Sequence, residues 1–293
     1  MHIVATLVAR PLLRENIDAA RAALPQGATF NWLAEDEACD LRCEGETCQE
    51  LEAALLAALR GAPVDVFCQP DTSDRRKRLL LADMDSTIIT VECIDEMADV
   101  LGLKSEVAAI TEQAMRGEIE FPEALRARAA LLKGLSQDEL ERVYAERVRL
   151  TPGAATLVGT MRAHGAHCAL VSGGFTFFTE RVAAAAGFHE HHANRLVVQN
   201  GQLTGQVETP ILDSNSKLER LQQTMKQHGL TPQQTMAVGD GANDVPMLQA
   251  AGIGAAFHAK PVAAEAADAR ITHGDLTALL YLQGYRREDF ERG

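Results

Sequence analysis

Five short apolar runs, RLLLADM, HCALVSG, TMAVGD, GIGAAF and ARITH, recur between Arg78 and His273 with helical segments between them. They are too short for buried helices and lack the alternation of a strand with one wet face, so they fit a parallel sheet covered on both sides. The helical segments end repeatedly on glycine, at Gly165, Gly187, Gly229 and Gly252, as left-handed C-terminal caps do. Thr151 and Pro152 read as an N-cap followed by proline at the first helical position. This grammar predicts an α/β fold with a doubly wound, Rossmann-like parallel sheet over residues 78–293. One hairpin interrupts it at RLVVQNGQLTGQV, where Asn200 and Gly201 form a two-residue turn signal.

Residues 93–150 are helical in pattern and far longer than a crossover helix requires. They predict a helical cap module inserted just past the first strand of the sheet, where open α/β sheets place their sites. Residues 1–70 read as strand, helix, two strands, helix and strand, the βαββαβ order of a small ferredoxin-like domain. In that setting the module resembles the amino-acid-binding regulatory domains of the ACT type, although ARPLLRE stands where such domains carry a glycine-containing turn. DTSDRRKR suggests a solvated linker over residues 71–77. The edges of the small sheet offer a route to a homodimer.

With 41 acidic against 28 basic residues in 293, the formal net charge is -13, which disfavours general attraction to nucleic acid or to an anionic membrane surface. No stretch reads as a membrane span or a signal peptide, so a cytoplasmic location is expected. The six cysteines lack paired spacing and read as reduced thiols. HEHH, at 189–192, offers metal-binding groups but reads as a solvent-exposed loop after a helix.

The chemistry gathers at the ends of the apolar runs. In LADMDSTIIT, Asp83 and Asp85 sit one residue apart, so at a strand end both aim at one spot. Either they form a turn or capping pair, or a divalent cation offsets their repulsion, Mg²⁺ being the common choice beside phosphates. MAVGDGANDVPML supplies Asp240 from a second strand end, followed by Asn243 and Asp244. Ser172, Gly173 and Gly174 follow a third run, where a hydroxyl and backbone amides could hold phosphate oxygens; alone, they are an ordinary loop. Lys217, near a helix start in SNSKLERL, would in isolation be a surface lysine.

Taken together, DMDSTIITVE, FPEALRAR, SGGF, NSKLERL and GDGANDVPML resemble the haloacid dehalogenase superfamily of phosphohydrolases, and within it the branch that hydrolyses phosphoserine, over residues 78–293. The resemblance implies hydrolysis of O-phospho-L-serine, the last step of serine biosynthesis, through an aspartyl-phosphate. Asp83 would be the nucleophile and Asp85 the acid and base. Mg²⁺ would be held by Asp83, the backbone carbonyl of Asp85 and Asp240. Ser172, Gly173 and Lys217 would bind the phosphoryl oxygens, Glu92 the substrate ammonium and Arg128 its carboxylate, with Phe121 packing beside it and Asn243 completing the site. Without the resemblance, Arg128 reads as a solvated helix residue.

Two other functions remain open at this point. One is a phosphatase or phosphotransferase for a different small phosphometabolite; the other is a non-enzymatic amino-acid sensor, against which the intact Asp83, Asp85, Lys217 and Asp240 argue. A P-type ATPase is excluded, because position 85 is Asp where those pumps carry Thr.

Overall fold

The computed structural model describes residues 1–45, 47–116 and 118–291. It opens with β1 (His2–Val8), α1 (Arg14–Ala22), β2 (Thr29–Ala34), β3 (Ala38–Glu44), α2 (Cys48–Leu59) and β4 (Asp65–Pro70), in a four-stranded antiparallel sheet of order β2-β3-β1-β4. A strand in a small sheet with helices on one face should alternate buried and exposed. Instead β1 is buried from Ile3 to Val8. Ile3, Ala5 and Leu7 pack in the small module's own core, whereas Val8, Ala38 and Phe67 join the core of the rest of the chain.

Residues 71–77, expected to be a solvated linker, are part of this junction. Arg75 and Lys77 are each only 7% exposed. The Arg75 guanidinium grips both oxygens of Asp40, buried in β3, at 2.7 Å each, and its Nε donates to the Leu282 carbonyl at 3.0 Å. Lys77 Nζ donates to the carbonyls of Asp74 and Gln233 at 2.8 and 2.7 Å. Charge in this run suggested solvation; partners distant in sequence make burial affordable instead. Asp65 adds a further latch, accepting the backbone amides of Thr272, His273 and Gly274 at 2.8, 3.1 and 2.7 Å.

The larger part begins with β5 (Leu79–Ala82), followed by α3 (Cys93–Val100), α4 (Lys104–Met115), α5 (Phe121–Leu131), α6 (Gln137–Arg147), α7 (Ala154–Ala163), β6 (His167–Phe175), α8 (Thr176–Ala186), β7 (Glu190–Asn194), β8 (Leu196–Gln199) and β9 (Gln202–Val207). After these come α9 (Ser214–His228), β10 (Thr235–Gly239), α10 (Val245–Ala250), β11 (Ile253–Phe257), α11 (Pro261–Ala266), β12 (Ala269–Ile271) and α12 (Ala278–Leu282). Six strands form one parallel sheet of order β12-β11-β10-β5-β6-β7. Every residue of the central β5 is buried: Leu80 and Ala82 pack in the cluster that contains Leu157 and Phe178, and Leu79 and Leu81 in the one that contains Leu221 and Met247. Two-sided burial explains the unbroken apolar run.

The structure corrects three further sequence readings. HEHH is not a loop: Glu190, His191 and His192 begin β7, the sixth strand, whose position at the sheet's edge lets polar side chains remain half-exposed. Gly252 is not a left-handed cap, unlike Gly165, Gly187 and Gly229; a Cβ there would lie 2.3 Å from the Pro232 carbonyl oxygen, so the constraint is close backbone approach. Thr151 and Pro152 form a turn ahead of α7, which starts at Ala154 with the left-handed Gly153 as its cap.

The cap module, α3 to α6, leaves and rejoins the sheet domain side by side. Ile89 and Leu150 form a β-bridge, and Thr151 N donates to the Ile88 carbonyl at 2.9 Å. The β8–β9 hairpin turns through Asn200 (φ 52°) and Gly201 (φ 75°) and touches the cap through Leu203, whose backbone exchanges hydrogen bonds with Gly134 and Leu135.

Replacing Arg75 with Met should leave the buried Asp40 carboxylate with only the half-exposed Arg42 and the Thr6 hydroxyl as partners. Denaturant unfolding is expected to show a loss of about 1–3 kcal/mol; a loss below about 1 kcal/mol would mean that the pair does not hold the two parts together.

Candidate active site

The carboxyl end of β5 is the topological switch point of the sheet, with β10 on one side and β6 on the other. Asp83 follows β5 directly, its amide still bonded to the Val238 carbonyl at 3.0 Å. The chain then makes one wide turn, closed by Ile89 N donating to the Met84 carbonyl, in which Ser86 takes a left-handed φ of 54°. That turn carries Asp85 and delivers Glu92 to the start of α3.

Lys217 reaches this point from the first turn of α9, which Asp213 and Ser216 cap reciprocally. Its ammonium lies 2.6 Å from Asp83 Oδ1 and 2.6 Å from Asp244 Oδ1. The lysine is 2% exposed, so it is no surface residue. Burial opposes its charge, but the two carboxylates outweigh burial and hold its pKa above the ordinary lysine value. Burial and the neighbouring Asp244 push Asp83 up, against the pull of Lys217. Asp244 Oδ2 accepts the amides of Asp240 and Gly241, both at 3.1 Å.

Asp85 is held from two sides: Cys93 N, at the start of α3, donates to Oδ1 at 2.8 Å, and Ser172 Oγ donates to Oδ2 at 3.0 Å. Burial first and Glu92 second push its carboxyl up to about 6, with the two hydrogen bonds pulling the other way. Ser172 is itself oriented by the amide of Gly174 at 2.8 Å. A side chain would crowd both glycines: a Cβ would lie 3.1 Å from the Phe121 ring at Gly173 and 3.0 Å from Asp85 Oδ2 at Gly174.

From the cap, Arg128 Nε donates to the Ala124 carbonyl and Nη1 to Thr111 Oγ1, each at 3.3 Å. Glu92 accepts the Ser86 hydroxyl at 2.7 Å. A cavity of about 400 Å³ is lined by Asp83, Asp85, Glu92, Phe121, Arg128, Ser172, Gly173, Asp240 and Asn243, so each expected site residue except Lys217 faces one space. Lys217 lies against Asp83 instead. Thr111 and Lys260 also line the cavity, and neither was singled out in the sequence. Asp244 was visible there only as a loop residue; its burial and its bond to Lys217 could not be read from GDGANDVPML.

One carboxylate oxygen each from Asp83, Asp240 and Asp244 lies within 4.8 Å of the others. Burial pushes Asp240 up to about 6, with Lys260 opposing and Asp244 adding to the shift. An all-oxygen, crowded and anionic set suits a hard divalent cation, which would offset the repulsion that the single ammonium leaves.

A capped, doubly wound sheet with such a cluster at its switch point defines an enzyme of the metal-assisted, anion-handling class. The chain belongs to the haloacid dehalogenase-like hydrolase family, whose description matches residues 80–249. It is 49% identical over 210 residues, 70% of this chain and 89% of the relative, to a phosphoserine phosphatase from Albidiferax ferrireducens. The unliganded crystal structure of a probable phosphoserine phosphatase from Vibrio cholerae superposes with a TM-score of 0.79 at 30% identity, covering 98% of this chain and 88% of the other. A phosphoserine phosphatase solved as an analogue of its phospho-aspartyl intermediate superposes with a TM-score of 0.65 at 40% identity, over 70% of this chain and 98% of the other.

The raised carboxyls make metal and proton compete. With a folded pKa of about 6 for Asp240, against about 3.9 when unfolded, its contribution to stability without metal is full below about pH 4 and lost as pH rises through 6. A divalent cation should therefore raise the melting temperature more at pH 7 than at pH 5. An equal gain at both pH values would remove Asp240 from the metal site.

Proposed function

We propose that this chain hydrolyses O-phospho-L-serine to L-serine and inorganic phosphate, with Mg²⁺, through an aspartyl-phosphate on Asp83. The observation that carries the reading is that one cavity holds both a phosphoryl-handling group, Asp83, Asp85 and Ser172, and an opposite-charge pair, Glu92 and Arg128, matching the ammonium and carboxylate of the substrate. The relatives named above support the same substrate.

In this reading an Asp83 oxygen attacks phosphorus as the bond to the serine oxygen breaks, and Asp85 donates its proton to that leaving oxygen. Asp85, now a carboxylate, removes a proton from water. The water oxygen attacks phosphorus, the bond to Asp83 breaks, and phosphate leaves with both aspartates restored. A carboxyl near 6 suits a group that must both give and take a proton at neutral pH. Lys217, Ser172 and the amides of residues 172–174, where β6 bulges, hold the equatorial oxygens. Mg²⁺, held by Asp83, the Asp85 carbonyl and Asp240, would neutralise charge on the transferring group. Asp244 keeps Lys217 aimed at Asp83, Phe121 covers the 172–174 bulge, and Asn243 completes the wall of the cavity.

Asp83→Asn should abolish turnover while the protein still melts cooperatively, since the amide keeps the volume and loses the nucleophile. Substantial activity in the purified variant would remove Asp83 from that role. Asp85→Asn should lower kcat by about 10²–10⁴-fold, and a near-silent variant would count against acid/base work there. Arg128→Ala should raise KM for phosphoserine far more than KM for an aryl phosphate, which has no carboxylate to lose; equal losses on both would assign Arg128 to the phosphate or to the fold.

A further inference from the structure

One buried side chain between residues 172–174, where β6 bulges against β7, and the start of α9 has no part in the chemistry above. Asn194 ends β7 and is 2% exposed. Its Nδ2 donates to the Gly173 carbonyl at 2.9 Å and to the Leu212 carbonyl at 3.2 Å, while Oδ1 accepts Leu212 N at 2.8 Å. A buried amide satisfied on both of its ends is a rigid strut. At one end of it, Leu212 precedes Asp213, the N-cap of the helix that carries Lys217. At the other end, the Gly173 carbonyl belongs to the same planar peptide group as the Gly174 N–H, so fixing one fixes the direction of the other. That N–H donates to Ser172 Oγ at 2.8 Å, and Ser172 Oγ donates to Asp85 Oδ2 at 3.0 Å.

We propose that Asn194 is a positioning residue for phosphoryl transfer: it sets the spacing between the 172–174 bulge of β6 and the Lys217 helix, and through one peptide plane it aims the Ser172 hydroxyl. The inference rests on the reading that this bulge holds the phosphoryl group. Asn194 does not line the cavity, so it acts only through these neighbours. The residue type follows from the pattern of partners. Two carbonyls require two donated protons and one amide requires an acceptor, from a side chain short enough to fit between an edge strand and a helix start; the Asn carboxamide has that inventory and an Asp carboxylate does not. Because the phosphoryl group is common to all phosphate monoesters, loss of the strut should act on chemistry and spare recognition of the serine end.

The test uses the full chain with Mg²⁺, comparing Asn194→Ala and the milder Asn194→Ser with wild type on phosphoserine and on an aryl phosphate, with inorganic phosphate as inhibitor. Misplacement of the 172–174 bulge and the helix should lower kcat about 10- to 100-fold on both substrates and weaken phosphate inhibition, while the ratio of the two KM values stays at its wild-type value. A general loss of folded protein would reduce the active fraction but not shift the phosphate inhibition constant. Cooperatively melting variants with wild-type kcat and phosphate inhibition overturn the proposal, as does a loss confined to phosphoserine KM. Asp83→Asn, measured in parallel, separates the two layers: a working Asp83→Asn defeats the reading of the site, whereas a dead Asp83→Asn beside a wild-type Asn194→Ala defeats only this inference. Should neither Asn194 variant fold, wild-type protein decides by NMR: the Asn194 side-chain amide protons should exchange slowly and shift when inorganic phosphate is added, and an unmoved resonance overturns the strut.

Discussion

The ammonium of Lys217, set between Asp83 and Asp244, is the contact on which the rest of the site depends. It joins segments separated by 134 and 27 residues, the end of β5, the first turn of α9 and the loop after β10. Each of the three charges would be costly to bury alone, and each is tolerable only because the other two are present. Such an arrangement contributes little net stability compared with apolar packing, yet it penalises any arrangement in which one member is displaced. That penalty sets the separation between strand end and helix start, and so the position of the Asp83 carboxylate at the end of the sheet. Burial first and the second carboxylate next raise Asp83, and two carboxylates to one ammonium leave the cluster anionic, which accounts for the fit to a divalent cation.

The same device recurs at the junction with the small sheet. Arg75 and Asp40 are buried together, and Asp65 occupies a nest of three successive amides that follow β12. The apolar core is continuous across that junction, since Val8, Ala38 and Phe67 share a cluster with Tyr281. The small sheet is therefore a packed layer of the molecule. Leu276 N donates to the Pro152 carbonyl at 3.1 Å, so the segment that the small sheet grips also touches the point where the chain leaves the cap.

What the sequence made legible was whatever burial writes as a pattern. The runs around Leu80, Leu170 and Val238 announced a two-sided parallel sheet, and the paired carboxylates at a strand end announced charge requiring compensation. What escaped was set by partners distant in sequence. Polar β7 was hidden because an edge strand need not be apolar. Arg75 and Lys77 looked solvated because a charged run gives no sign of Asp40 or of the Gln233 carbonyl. Asp244, Thr111 and Asn194 carry their roles through hydrogen bonds to other elements, and a sequence records side-chain capacity but not where it is spent. Lys217 lay between these cases, unremarkable alone and recognisable only beside the other motifs.

Asp85 shows how cap and catalytic end are joined. One of its oxygens is held by the sheet domain through Ser172, the other by the first amide of α3, the helix that opens the cap. Both bonds favour the carboxylate over the acid, and the helix N-terminus adds its partial positive charge in the same sense. Burial and Glu92 act oppositely, and the balance falls near 6. Carrying α3 away from β5 would withdraw the Cys93 N–H and Glu92 together while admitting water, removing one influence of each sign along with the burial that dominates. The proton affinity of Asp85 is thus set where the two parts meet and not by either alone.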